Sequence, residues 1–345
     1  MRLKDIGETS LIKRLLERFT HKDPRVLKAI GDDAAVTRID DKRCLLSTID
    51  TLVEGIHFSK IYTSPKLLGR KSVSISLSDI AAMGGTPLFF LVSIALPSET
   101  GQDFFEEFYE GVKDCADAFG VFLVGGNTSA SHSGVVITTA MLGEAQKDEV
   151  VYRSGAKTGD IIYVTGTLGD SALGLMALKE KGASGEKNGA FKNAVARHLN
   201  PQPRVSVGRL ISRKKLATSM IDISDGLLVD LRHIAVESKK GAAVELEKLP
   251  LSNEVKDYVN RHPAAWELPL SGGEDYELLF TSPKEKAKDI FKVAKNTGVG
   301  ITPIGKILPP GKGISVVKED GASVPVKKEG YEHFMGNPAS IDRSR

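Results

Sequence analysis

The chain has 345 residues, 41% apolar and 26% charged, a balance that excludes a disordered polymer and is long for a single hydrophobic core. Net charge is only +3 with dispersed basic residues, so nucleic acid is not an expected partner; Arg213-Lys214-Lys215, Lys239-Lys240 and Lys327-Lys328 read as solvated faces. No stretch approaches the roughly 18–20 apolar residues of a membrane span. The N-terminus opens directly into charged sequence, and Cys44 and Cys115 have no metal or redox spacing, so the expectation is a cytoplasmic protein off the membrane with two buried, inert thiols.

Leu11, Ile12, Leu15, Leu16 and Phe19 recur at helical spacing, with Thr9 or Ser10 available as a cap. A strand is expected over Cys44 to Ile49, closed by Asp50. A segment rich in serine and small residues, Lys66 to Met83, stops at Gly84-Gly85, and a strand over Leu88 to Leu96 stops at Pro97. Phe104, Phe105, Phe108, Val112, Cys115 and Phe119 mark a long amphipathic helix, followed by strands over Val121 to Val124 and Val135 to Leu142. A second half begins near Val151. It predicts a strand over Asp160 to Thr165, a turn at Gly166-Thr167-Leu168-Gly169, a helix over Asp170 to Leu178 and a surface loop over Gly182 to Asn188. Ala217 to Ile223 reads as a strand and Leu227, Leu228, Leu231, Ile234 and Ala235 as the apolar face of a helix. Tyr276 to Phe280, Lys284 to Lys295 and Ile301 to Ile307 continue as strand, helix and strand. The pattern predicts two α+β domains, residues 1–148 and 149–345, joined near 145–155.

The chemistry-bearing residues are acidic. Asp32 and Asp33 lie in Gly31-Asp32-Asp33-Ala34-Ala35, Asp79 in Leu77-Ser78-Asp79-Ile80, Asp222 and Asp225 around Ile223-Ser224, and Glu274 and Asp275 after Gly272-Gly273. Singly, each has a plain structural role: Asp225 could cap the helix starting at Gly226, and Asp79 could be a buried helix residue bonded to backbone. Together, without a matching set of buried basic residues, they favour a divalent-cation site. Hard carboxylate oxygens without Cys or His clusters suit Mg²⁺ rather than zinc. Neither Gly-x-x-x-x-Gly-Lys-Ser/Thr nor a strand-linked Gly-x-Gly-x-x-Gly is present, and the seven scattered histidines suggest no nucleophilic triad. Gly166-x-x-Gly169 reads as a structural turn; Gly125-Gly126-Asn127-Thr128 is the better place for backbone to approach a ligand.

Several of these motifs resemble those of the thiamine-monophosphate kinase family: Gly31-Asp32-Asp33-Ala34, Asp50-Thr51-Leu52-Val53-Glu54-Gly55-Ile56-His57-Phe58, Leu77-Ser78-Asp79-Ile80-Ala81-Ala82-Met83-Gly84, Arg153-Ser154-Gly155-Ala156, Gly166-Thr167-Leu168-Gly169-Asp170-Ser171, Ile223-Ser224-Asp225-Gly226 and Gly272-Gly273-Glu274-Asp275-Tyr276-Glu277. They stand in family order and reach to about Phe334. The resemblance implies a two-domain α+β fold like that of aminoimidazole ribonucleotide synthetase, whose N-terminal domain forms a β-barrel in a homodimer and whose C-terminal domain is α/β. It also implies ATP-dependent, direct in-line phosphorylation of thiamine monophosphate.

Position by position, the resemblance implies that Asp33, Asp50, Asp79 and Asp222 hold Mg²⁺ ions and carry catalysis, with Thr48, Ile49 and Asn127 contributing and Asp225 holding a further ion. Tyr109, Gly126, Asn127, Arg153 and Ser224 would meet ATP, and His57, Glu274 and Tyr331 would line the thiamine phosphate pocket. Taken by themselves, His57 is open to reading as a satisfied core histidine and Tyr331 as ordinary packing. Asn127 stands where the family usually has Asp, which removes one negative charge, and Ile49 where it commonly has Thr, so only a backbone ligand survives there. The rival readings are another ATP-dependent enzyme of the same superfamily, or a non-catalytic ATP/Mg²⁺-binding protein disabled at Asn127.

Overall fold

The computed structural model describes residues 2–19, 23–181, 189–326 and 330–334. The expected loop over Gly182 to Asn188 and the pair Lys327-Lys328 lie outside these residues.

Helix α1 (Glu8–Arg18) opens the chain, followed by strands β1 (Val26–Lys28), β2 (Ala35–Arg38) and β3 (Arg43–Val53). Next come α2 (Pro65–Ala82), β4 (Thr86–Pro97), α3 (Gln102–Phe119), β5 (Phe122–Ser131) and β6 (Val136–Gln146). The six strands form one open sheet in the order β1-β2-β3-β6-β4-β5, antiparallel except for the β4–β5 edge pair. A second run contributes β7 (Ile161–Thr165), α4 (Asp170–Lys181), α5 (Lys192–Leu199), α6 (Val205–Arg213), β8 (Ser219–Asp222), α7 (Leu227–Ser238) and β9 (Gly241–Glu245). It ends with α8 (Asn253–Arg261), α9 (Glu267–Ser271), β10 (Leu278–Ser282), α10 (Ala287–Thr297), β11 (Ile301–Leu308) and β12 (Ile314–Val317). Its sheet runs β12-β9-β11-β7-β10-β8, with only β12–β9 parallel. No described helix is long and apolar enough to cross a membrane. Cys44 and Cys115 are free and buried, as expected.

Helix α2 holds the two halves together. Ser64 caps it, accepting from the Leu67 N–H at 3.3 Å, and Pro65 takes the first turn, where no N–H is needed. It lies between the first sheet and α3 on one side and α6 and β8 on the other, so Leu68, Leu77, Ile80 and Met83 are all fully buried. Each such side chain contributes about 1.5–3 kcal/mol of transfer free energy. A serine-rich helix can be buried on every face because its small residues admit close neighbours. A Cβ on Gly69 would collide with the Phe108 carbonyl of α3, and one on Gly111 with the Lys66 carbonyl of α2.

Several boundaries differ from the sequence reading. Helix α1 starts at Glu8 with Gly7 at its N-cap, at φ +76°, so Thr9 and Ser10 lie inside the helix. Strand β3 runs on to Val53, because β6 pairs with it from Arg43↔Gln146 to Val53↔Val136, and Asp50 therefore sits within the ladder. Gly125 to Thr128 fall inside β5, paired with β4, rather than in a loop. Asp230, in the first turn of α7, accepts from the N–H groups of Asp225 (3.2 Å) and Gly226 (3.1 Å), so Asp225 does not cap that helix.

Candidate functional site

The site is built where the two sheets meet across α2. Alternation along β3 turns Thr48 and Asp50 toward α2 and leaves Ile49 68% exposed. Ser76 of α2 donates to Asp50 Oδ2 at 2.7 Å, and Thr48 Oγ1 donates to Asp79 Oδ2. From the far side, β8 ends on Asp222, whose Oδ2 accepts from Ser78 at 2.6 Å. Asp33 completes the group from the turn before β2. Asp33, Asp79 and Asp222 can place one oxygen each within 4.8 Å of one another.

Three carboxylates this close and this far from water repel one another. Burial first, then neighbouring carboxylates, pushes Asp79 well above the usual carboxylate range; burial and then Asp33 push Asp222 up to about 8. Burial also raises Asp50 and Asp33; Arg153 opposes it at Asp33, donating from Nη2 at 2.6 Å and Nε at 3.2 Å. The other oxygen, Asp33 Oδ2, is buried and has no hydrogen-bond partner among the described residues. An orphaned carboxylate oxygen in an all-oxygen cluster is what a hard divalent cation would satisfy, so Asp33, Asp79 and Asp222, with Asp50 and Thr48 beside them, fit such an ion.

A second group lies toward the chain's C-terminal segment. The rings of His57 and His333 have centroids 5.3 Å apart, and Tyr331 meets His333 edge-on at 4.9 Å, with its hydroxyl 3.2 Å from His333 Nδ1. The Val53 N–H donates to His57 Nδ1 at 3.0 Å, which leaves the ring proton of the neutral imidazole on Nε2. Burial lowers the His57 pKa, with Glu274 pulling the other way, and Tyr331 is raised by burial and then by Glu8, Asp225 and Glu274. His57, Glu274 and Tyr331 are thus brought together, with His333 among them. Ser224 lies between the two groups: it follows Asp222 by two residues, and its carbonyl accepts from the Glu274 N–H at 2.8 Å. Asp225, also raised to about 6 by burial and then by Glu8, stands on the same side.

Tyr109, Gly126 and Asn127 are placed elsewhere. Tyr109 meets Phe105 at a tilt and Phe108 edge-on on α3, and Asn127 is exposed on β5 opposite Ser93. Gly126 has a structural reason of its own, since a Cβ there would strike the Val92 carbonyl of β4. No described hydrogen bond ties these three to the carboxylates. The turn Gly166 to Gly169 is structural: the Gly169 N–H donates to Asp275 at 2.7 Å as the chain enters α4. Buried basic residues are not lacking, contrary to expectation. Lys71 is 1% exposed beside Glu274, and Arg197 and Arg204 both pair with the fully buried Glu277. Lys71, His198 and His333 were missed because a lone lysine or histidine in sequence carries no sign of what it will face.

This fold, with hard oxygen ligands gathered at the domain junction, defines a protein of the AIR synthase class: AIR synthase related protein, N-terminal domain, matches residues 31–145, and its C-terminal counterpart matches residues 157–318. Within that class the chain belongs to the thiamine-monophosphate kinase family. It is 39% identical over 340 residues to the Aquifex aeolicus thiamine-monophosphate kinase, spanning 97% of this chain and 100% of that one. Identity to the Bacillus subtilis thiamine-monophosphate kinase is 36% over 329 residues, 95% and 100% of the two chains. Among solved structures, AaThiL complexed with AMPPCP and TMP matches with a TM-score of 0.83 at 37% identity, covering 96% of this chain and 99% of that one.

Proposed function

We propose that the chain transfers the γ-phosphoryl group of ATP to the phosphate of thiamine monophosphate, giving ADP and thiamine diphosphate. The observation that carries this reading is the junction cluster: two buried carboxylates and a half-buried one within 4.8 Å, and an orphaned oxygen. It stands in a chain 36–39% identical to thiamine-monophosphate kinases. The AaThiL complex pairs TMP with AMPPCP, an ATP analogue with a methylene bridge, which suits the same two substrates.

The accepting phosphate has a second pKa near about 6 and is largely dianionic at neutral pH, so no protein base has to remove its proton. The obstacle is repulsion between two polyanions. Mg²⁺ bound at the cluster would offset that charge and hold the two phosphates in line. Asp33, Asp50, Asp79 and Asp222, with Thr48, the Ile49 backbone and Asn127, would hold the ions, and Asp225 a further one. Arg153 offers a planar fork to ATP phosphates, beside Ser224, Tyr109, Gly126 and the Asn127 backbone. His57, Glu274 and Tyr331 would line the thiamine phosphate pocket.

The N-terminal domain (1–148) would pair with a second copy. Strand β5 is one edge of the sheet, and its Phe122, Leu123 and Val124 are 65, 43 and 56% exposed. An unpaired apolar edge is a template for another strand, and a second copy would cover it and close the open sheet toward a barrel. The expected setting is the cytoplasm.

A coupled assay of thiamine diphosphate formation from ATP, Mg²⁺ and thiamine monophosphate, run beside Asn127→Asp, tests the reading. Turnover by the chain establishes the kinase. Turnover only after Asn127→Asp means a binding protein disabled at one position, and silence in both refutes the substrate assignment.

A further inference from the structure

Lys71 sits in the middle of α2 with 1% of its side chain exposed, and an ammonium this far from water requires an anionic partner. Its Nζ lies 2.9 Å from Glu274 Oε1, while Glu274 Oε2 lies 3.3 Å from Nδ1 of His198, itself 2% exposed. Burial, and then the Lys71 charge, hold the His198 pKa down to about 3, so the ring is neutral. The neutral ring flanks the carboxylate through Nδ1 without a hydrogen bond to it among the described residues. Ser171 Oγ lies 3.0 Å from the same nitrogen, so Ser171, His198 and Glu274 do not form a nucleophile–base–acid relay, which needs both ring nitrogens.

Glu274 is gripped by Lys71, with His198 packed beside it, and keeps 22% of its side chain exposed. Its backbone holds φ +66°, a left-handed conformation uncommon for a residue with a Cβ, fixed by its N–H on the Ser224 carbonyl at 2.8 Å. A buried ammonium and a strained backbone thus converge on one partly exposed side chain.

We propose that Lys71 is a positioning residue for the substrate: with His198 packed alongside, it holds the Glu274 carboxylate as a fixed, negatively charged acceptor for the two-ring part of thiamine monophosphate, which carries the thiazolium charge and the pyrimidine amino group. Lys71 and Asp79 are eight residues apart on α2, about 12 Å along its axis at 1.5 Å per residue. One helix therefore sets both the ring end and the phosphate end of the site. The proposal rests on the reading of Glu274 as a lining residue of that pocket.

Steady-state kinetics on the full chain, varying thiamine monophosphate and ATP separately, test it with Lys71→Met, Glu274→Gln and the double variant. Lys71→Met raises KM for thiamine monophosphate about tenfold or more, the equivalent of about 1.4 kcal/mol, with kcat and KM for ATP within about twofold. Glu274→Gln raises the same KM, and adding Lys71→Met to it causes no further loss, because Lys71 then has no carboxylate to hold. The double variant removes both buried charges, so this comparison stands even if Lys71→Met alone fails to fold. Lys71→Met with an unchanged KM, an equal rise in KM for ATP, or a loss that multiplies in the double variant overturns the proposal while leaving the pocket intact. Glu274→Gln with an unchanged KM for thiamine monophosphate overturns the pocket reading and the proposal with it.

Discussion

Replacing Asp222 by Asn tests whether the junction is an electrostatic liability awaiting a cation. Two unit charges 4.8 Å apart repel by about 3.5 kcal/mol at an effective dielectric of about 20. The Asp33 charge is largely offset by Arg153 at 2.6 Å, so roughly one uncompensated pair remains. The folded-state pKa of Asp222, about 8, lies above its ordinary 3.8, so the folded protein holds that proton more tightly than the unfolded chain. Its contribution to stability is complete below about pH 4 and is lost as pH rises through about 8. Asn has no proton to lose, and its amide oxygen still accepts from Ser78. In chelator at pH 8, Asp222→Asn therefore gains roughly 1–3 kcal/mol over the parent, a rise in Tm of about 1–4 °C for a chain of this length, and the difference shrinks toward pH 5. His198, whose shift owes nothing to Asp222, cancels in the difference, whereas Asp79, which the Asp222 charge helps to raise, is relieved in the variant and adds to its gain. Saturating Mg²⁺ reverses the order, since at about 100 times Kd a ligand adds about 2.7 kcal/mol to the protein that binds it. Thermal melts at pH 5 and 8, with chelator or Mg²⁺, are sufficient. A variant that melts at or below the parent in chelator at pH 8, or gains as much from Mg²⁺, refutes the reasoning.

Asn127→Asp lowers the Mg²⁺ concentration needed for half-maximal turnover, read from a metal titration of the coupled assay, because the ion gains one negative ligand. His57→Ala raises KM for thiamine monophosphate without changing that for ATP. Phe122→Lys with Val124→Lys on the exposed edge of β5 shifts sedimentation from dimer to monomer, because burying two ammonium groups in a strand pairing is prohibitive. Gly69→Ala forces α2 from the Phe108 carbonyl of α3 and costs about 1–3 kcal/mol, measured by denaturant unfolding.

Much of the α/β alternation was legible because it rests on local periodicity: α3 follows from its Phe and Val spacing, and β4 from an apolar run closed by Pro97. The acidic residues of the cluster were legible as a set, since carboxylates among Gly, Ser and apolar neighbours have few uses in a folded chain. Short elements such as β9, with its glycine and alanines, and β12 escaped, because their stability comes from pairings that tertiary structure supplies, β12 with β9 and β9 with β11. Likewise the extension of β3 past Asp50 was decided by β6, and the capping of α7 by Asp230 rather than Asp225 by which carboxylate the turn could reach. The sequence by itself determined which residues could bind a hard cation and the family they belong to. Only the tertiary structure decided that Asp33, Asp79 and Asp222, up to 189 residues apart, share one desolvated spot and that Lys71 faces Glu274 rather than water. Desolvation and charge pairing depend on what the rest of the chain packs around a residue, and that information is in no local window.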